Sequence, residues 1–149
     1  MGCQRFLLGA GSRWIWIQHR SEANWMSAQR ILIVDDDTIL SGLLQLTLEL
    51  EGYAVTTAAN GAEALAKLQV EKFELIILDI VMPTMDGIKF LRVLDDSNLE
   101  RPPIIVISSK AGNELTDHYR SLGVVGIARK PVEPNLLVQR VTAALQGQP

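Results

Sequence analysis

The sequence predicts an α/β fold, a doubly wound parallel sheet of five strands with helices on both faces. Three observations predict it. From Arg30 onward, short apolar runs rich in β-branched residues alternate five times with longer stretches of helical period. The polar residues able to do chemistry stand just after those runs, outside the carboxyl ends of the strands, where such sheets keep their ligands. The 149 residues, 48% hydrophobic and 21% charged, suit one globular domain that buries a core without metal or disulfide staples.

The first strand is 31–34 (ILIV), an unbroken apolar run of the kind buried on both faces. Asp35, Asp36 and Asp37 follow it directly, with Asp37 placed to cap the next helix. In that helix Ile39, Leu43, Leu46 and Leu50 fall at helical spacing, with Leu40 and Leu44 widening the apolar stripe, and Gly52 supplies a left-handed end. The second strand is 53–58, and Asn60-Gly-Ala-Glu63 reads as a capping-box variant opening a helix to about Gln69. The third strand, 73–79, delivers Asp79; a helix over 85–94 follows, with Ile88, Leu91 and Leu94 on one face. The fourth strand, 103–108, delivers Ser108 and Ser109, ahead of a helix over 113–122 stopped by Gly123. The fifth strand, 124–128, delivers Arg129 and Lys130, and the last helix, 134–145, has Pro134 in its first turn.

Polar chemistry therefore gathers beyond strands one, three, four and five. Carboxylates crowded at one edge repel, and protons or a cation must relieve them. Oxygen ligands with no His or Cys nearby favour Mg2+ over zinc. A hydroxyl (Ser108) and an ammonium (Lys130) beside such an ion make partners shaped for phosphate. One carboxylate can then act as nucleophile and become an aspartyl phosphate, and the acid projecting alone from the centre of the sheet is Asp79.

Charge is uneven. Residues 1–25 hold Arg5, Arg13 and Arg20 against Glu22, whereas the remainder is acidic and the whole chain carries a formal net charge of −3. An acidic domain is poorly suited to direct DNA binding, where phosphate contacts dominate. Cys3 has no second cysteine to pair with, which fits a reducing cytosol. No apolar run reaches the roughly 18 residues of a membrane span. The first 25 residues lack a clear period and hold all three tryptophans, Trp14, Trp16 and Trp25. The leading expectation is that translation starts at Met26, with 1–25 an over-extended reading frame or a disordered extension and 26–149 the folded domain. The rival is an extension that docks through its aromatics. Intact mass, or the tryptophan absorbance that a chain starting at Met26 lacks, separates the two.

From about Arg30 to Leu145 the pieces "ILIVDDD", "LIILDIVMPTMDG", "PIIVISS" and "GIARKP", in this order, resemble the receiver domain of bacterial two-component response regulators. The resemblance implies a flavodoxin-like (βα)5 fold with strand order 2-1-3-4-5. It implies that Asp79 is the phosphoacceptor and that Asp35 and Asp36 bind Mg2+, with Asp36 the more direct ligand. By the same resemblance, Asp79 and the backbone carbonyl of Val81 would complete the protein's share of the metal shell. Ser108 would meet the phosphoryl group through its hydroxyl, and Lys130 would pair with a phosphate oxygen, its bond to Pro131 being cis. Met82, Pro83, Asp86 and Gly87 would shape the turn after the acceptor. A histidine kinase or histidine phosphotransfer protein would supply the phosphoryl group to a cytoplasmic, stand-alone switch that catalyses only its own phosphorylation and dephosphorylation. The output would pass to a downstream protein, with a homodimer possible, through the face of the fourth helix, fifth strand and fifth helix. Two positions depart from the family: Ile127 and Val132 stand where aromatics are common, so that face is expected to be flatter and more aliphatic. Lys110 occupies a position where the family tunes dephosphorylation; Ser109, Arg129, Asp95, Asp96 and His118 read as ordinary loop or surface residues.

Two rivals differ in class. "VDDDTIL" also resembles the first motif of haloacid-dehalogenase-type phosphatases, with Asp35 as nucleophile and Asp37 as acid/base, but Thr38 replaces the expected Gly and "LDIVMPTMDG" is left unexplained. The other is a docking module that is never phosphorylated, against which the full set of acids and the lysine argues.

Overall fold

The computed structural model describes residues 28–82, 85–109 and 116–147. The 1–25 extension, Met26, Pro83 and Lys110 lie outside the described residues.

Strands β1 (Arg30–Val34), β2 (Ala54–Ala58), β3 (Leu75–Asp79), β4 (Ile104–Ser108) and β5 (Val124–Arg129) form one parallel sheet in the order β2-β1-β3-β4-β5. Helices α1 (Thr38–Leu50), α2 (Gly61–Val70), α3 (Gly87–Asp96), α4 (Asp117–Ser121) and α5 (Pro134–Leu145) connect and follow them. The predicted class and order are both present. The three inner strands are buried on both faces because helices cover both, which is why they read as continuous apolar runs. Alternate strand residues feed two cores. Leu32, Val34, Ile76, Leu78 and Val106 pack with Leu68 of α2 and Phe90, Leu91 and Leu94 of α3. Ile31, Ile33, Ile77 and Ile107 pack with Leu44 and Leu48 of α1 and Leu137 and Val141 of α5. The strand order reverses between β1 and β3, so their carboxyl ends flank the switch point of the sheet.

One expected core face is wrong in part: Leu40 and Leu44 of the predicted stripe do pack inward, but its main row does not. Ile39, Leu43, Leu46 and Leu50 are exposed, Ile39 at 84% and Leu50 at 77%, while Ser41, Leu44 and Leu48 turn inward. A leucine-rich helix carries two apolar rows, and periodicity cannot say which one meets the sheet. The sheet chose the row containing Leu44 and Leu48.

Several boundaries also move. Strands β2, β3 and β4 start one or two residues later than expected, and β5 runs one residue further, to Arg129. Helix α3 starts at Gly87 rather than 85, because the Asp86 side chain accepts the Lys89 N–H at 2.8 Å and fixes the first turn there. Met85 instead rests against Gly61, where an added Cβ would lie 2.8 Å from its sulfur. Helix α4 starts at Asp117, behind a Thr116 cap on the Tyr119 N–H, rather than at 113, a residue outside those described. The expected caps at Asp37 and Asn60 form, and Gly52 and Gly123 adopt positive φ. Pro134 opens α5, whose cap, Glu133, the sequence reading overlooked.

Candidate functional site

Strand β1 ends by presenting Asp35, which is buried, and Asp36, which is exposed. The turn is held twice: the Asp35 N–H donates to the Ala58 carbonyl at 3.0 Å, and the Asp37 N–H donates to Asp35 Oδ1 at 2.9 Å. Asp37 spends its own carboxylate on the Ile39 and Leu40 N–H groups, both at 3.0 Å. It is a helix cap, as expected, and as such is poorly placed to serve as the acid/base partner of Asp35 in the phosphatase reading.

Strand β3 ends in Asp79, also buried. Its Oδ1 accepts the Val81 N–H at 3.1 Å, and its Oδ2 accepts from Lys130 Nζ at 3.0 Å. One oxygen each from Asp35, Asp36 and Asp79 lie within 4.8 Å of one another. The Asp35 Oδ2 atom is buried with no hydrogen-bond partner, an unusual state for a carboxylate oxygen. A hard cation held by these oxygens would satisfy it, so the donor set fits Mg2+. Val81 follows with an exposed side chain. Ser108 ends β4 one residue beyond Ile107, the register partner of Asp79; it is fully buried, and its carbonyl accepts the Lys130 N–H at 2.9 Å. The Lys130–Pro131 peptide is cis, as expected. Thus four strands deliver Asp35, Asp36, Asp79, Ser108 and Lys130 to one mouth. Arg129, Ser109 and His118 are exposed, and Asp95 pairs with Arg101 at the outer end of α3.

The electrostatics follow from the crowding. Burial pushes Asp35 up to about 6; the negative charge of Asp79 pushes the same way, against the Asp37 N–H and Lys130. Burial by itself works against the Lys130 ammonium, but the hydrogen bond and charge of Asp79, with Asp35 and Asp37 behind it, outweigh this and raise its pKa. A divalent cation held by this cluster would have to displace the Asp35 proton at low pH. Affinity for Mg2+ should therefore fall by up to about tenfold per pH unit below about 6 and level off above it. Calorimetric Mg2+ titrations at several pH values check this, and a flat profile between pH 5 and 7 would exclude Asp35 from the site. Because Asp35 holds its proton more tightly folded than unfolded, the cation-free protein loses stability as pH rises from about 4 to about 6.

Sequence reasoning missed Arg140, whose guanidinium reaches back from α5 to the Ile127 carbonyl at 2.6 Å. A charged residue in a helix reads as solvated, and no signal in the sequence marks this one. Of the face expected to carry output, residues 110–115 lie outside those described. Leu136 is its exposed large aliphatic among the described residues, and the longer exposed row is the one on α1.

The family model for the response regulator receiver domain matches residues 31–142. The alkaline phosphatase synthesis transcriptional regulatory protein PhoP of Bacillus subtilis is 38% identical over 120 residues, 79% of this chain and 49% of that protein. A CpxR homolog of Haemophilus influenzae is 35% identical over 78% of this chain and 50% of its own length. The chain thus spans about half the length of these relatives. Among solved structures, the Vibrio cholerae chemotaxis protein CheY4 superposes with a TM-score of 0.72 at 32% identity, covering 79% of this chain and 99% of that one. A CheY-like receiver domain protein of Methanospirillum hungatei gives 0.71 at 33% identity, over 82% and 97%.

Proposed function

This chain belongs to the response regulator receiver domain family, whose members are signalling switches rather than enzymes with separate substrates, and from that premise we propose that Asp79 accepts a phosphoryl group in a Mg2+-dependent step. The observation that carries this reading is the Asp79–Lys130 contact at 3.0 Å inside a cluster of three carboxylates. Asp35, Asp36, Asp79 and the Val81 carbonyl would hold the ion, which would offset the charge of the incoming phosphoryl group. An Asp79 oxygen attacks phosphorus and forms a P–O bond as the P–N bond to a donor histidine breaks; the departing imidazole takes up a proton. Lys130 holds a phosphoryl oxygen, and the Ser108 hydroxyl turns to another.

The phosphodonor is a histidine kinase or histidine phosphotransfer protein, and the chain works in the cytoplasm. Its output is a contact with another protein, or with a second copy, through α4, β5 and α5. The net charge of −3 argues for protein rather than DNA at its surface. Among the described residues no helix is long and apolar enough to cross a membrane.

Incubation with Mg2+ and acetyl phosphate tests the core of the proposal. A hydroxylamine-labile adduct on Asp79 that needs Mg2+ is the expected result; no adduct, or one indifferent to Mg2+, refutes it. A protein donor must also cover the exposed surface beside the mouth, and Ile39 stands there in the first turn of α1. Ile39→Asp should slow transfer from a protein donor by about tenfold, the scale of a buried anchor worth 1–2 kcal/mol. The rate with acetyl phosphate should hold. Equal slowing with both donors would show damage to the site itself.

A further inference from the structure

We propose that the outward face of α1 is a self-association seam, along which a second copy of this chain lays its own α1 antiparallel. The seam is made by Ile39, Leu43, Leu46 and Leu50, exposed at 84%, 49%, 56% and 77%. They recur at intervals of 4, 3 and 4 residues, the alternation of the two seam positions of a heptad. Leu44 and Leu48, on the opposite side, already anchor the helix to the sheet, so α1 is held whether or not its outer face is covered. That outer face is short of charge. Glu49 is the one acidic or basic residue among the 13 of α1, whereas a helix facing solvent ordinarily lines that side with charged residues. Thr47, beside the seam, donates its hydroxyl to the Leu43 carbonyl at 2.8 Å and so asks little of water. Gly42, on the other flank, is exposed, with nothing within 4 Å of an added Cβ. A mid-helix glycine costs stability, and this one packs against nothing among the described residues; beside a seam it lets a second helix come close.

The spacing reads the same in both directions. An antiparallel second copy therefore sets Ile39 against Leu50 and Leu43 against Leu46 about a two-fold axis, and one face serves both partners. A parallel pair would instead bring the two acidic mouths side by side and Glu49 against Glu49. The seam runs about 16 Å, from the turn beside the mouth to the far end of α1. Another α1 matches it in length, whereas a donor aimed at Asp79 needs only the end at Ile39. The four side chains present on the order of 500 Å2 of apolar surface, a size at which a patch marks a contact site. Two such faces with their flanks bury on the order of 1,000 Å2 in total, the lower bound of a specific interface, so the pair is weak and forms as concentration rises. Asp36, Glu49 and Glu51 stay exposed around it, and salt tightens the pair by screening them. This contact is separate from any made through α4, β5 and α5, and it needs no phosphorylation. It covers Ile39, so on the donor assignment above the pair and a protein donor exclude one another.

The test is sedimentation of the full-length chain at rising concentration, with no phosphodonor and no Mg2+. The wild-type average mass should climb up to twofold, from one chain towards two, and more readily at high salt. Leu43→Glu and Leu46→Lys, both at surface positions, should each stay at the mass of one chain over the same range. An equimolar mixture of the two variants should recover the pair, because the antiparallel register sets position 43 against position 46. Leu136→Lys, on the exposed face of α5, should pair like wild type. A wild type that stays single throughout overturns the proposal, and is the result expected if residues 1–25 cover the row in the same chain. Association that survives both α1 variants, or that Leu136→Lys abolishes, overturns it by placing the contact elsewhere. Dissociation by salt overturns it too, and would point to the arginines of 1–25. A mixture that fails to recover overturns the antiparallel register. If either variant does not fold, as read by circular dichroism, Ile39→Glu and Leu50→Lys, at more exposed positions that face each other in the same register, take their place. None of these outcomes depends on whether Asp79 accepts a phosphoryl group.

Discussion

Asp79→Asn is expected to abolish phosphoryl capture completely, from acetyl phosphate and from any protein donor alike. The amide is nearly the same shape as the carboxylate, and its single oxygen can still accept from either Lys130 Nζ or the Val81 N–H, which now hold separate oxygens of Asp79 at 3.0 and 3.1 Å. The fold should therefore persist, while the nucleophilic oxygen is gone and no neighbour can replace it. Asp35 is clamped by the Asp37 N–H, and Asp36 lies at the exposed rim. A second readout follows from the same geometry. The charge of Asp79 helps to raise Asp35 to about 6, so in the variant Asp35 should titrate lower. Intact mass after incubation with acetyl phosphate measures the first effect and carboxyl NMR the second. An adduct surviving on Asp35 would revive the phosphatase reading and end the receiver one.

Gly87→Ala should be the most damaging methyl group that can be added near the site. Its Cβ would fall 2.7 Å from the Ile80 Cα and 2.8 Å from the Asp79 carbonyl oxygen, both backbone atoms with no rotamer to escape into. The Gly87 N–H is meanwhile bonded to the Ile80 carbonyl at 2.8 Å, which keeps α3 pressed against the end of β3. Overpacking of this kind costs about 1–3 kcal/mol. Relief must come from moving either α3 or the peptide that aims Asp79, so slower phosphorylation should accompany the loss of stability. Gly42→Ala is the control. It lies in α1 with nothing within 4 Å of an added Cβ, and should stabilise by about 0.5–1 kcal/mol through helix propensity. Denaturant unfolding of both variants checks the pair. Equal effects would mean that the close approach of α3 to β3 is not what positions the acceptor.

The order of elements and the identity of the chemistry were legible in the sequence for a physical reason. Strands buried on both faces must be continuous apolar runs, and a parallel sheet must bring all their carboxyl ends to one side. Asp35, Asp36, Asp79, Ser108 and Lys130 could therefore be assigned to one mouth without knowing any distance, and the strand-end motifs resembled one family. The caps at Asp37 and Asn60 were legible too, because a cap is a local contact between a side chain and the next few N–H groups.

What the linear order could not decide was set by contacts between distant segments. Two apolar rows run along α1, and only the sheet's own surface selected Leu44 and Leu48 for the core and left Ile39, Leu43, Leu46 and Leu50 to solvent. The start of α3 was fixed by an Asp86 cap and by how closely Gly87 meets Ile80. The elevated pKa of Asp35 depends on burial and on Asp79 standing beside it, 44 residues further along the chain. Arg140 meets the Ile127 carbonyl because α5 folds back along the sheet edge. Local chemistry is written residue by residue, but burial, proximity and charge coupling exist only once the sheet has closed around them.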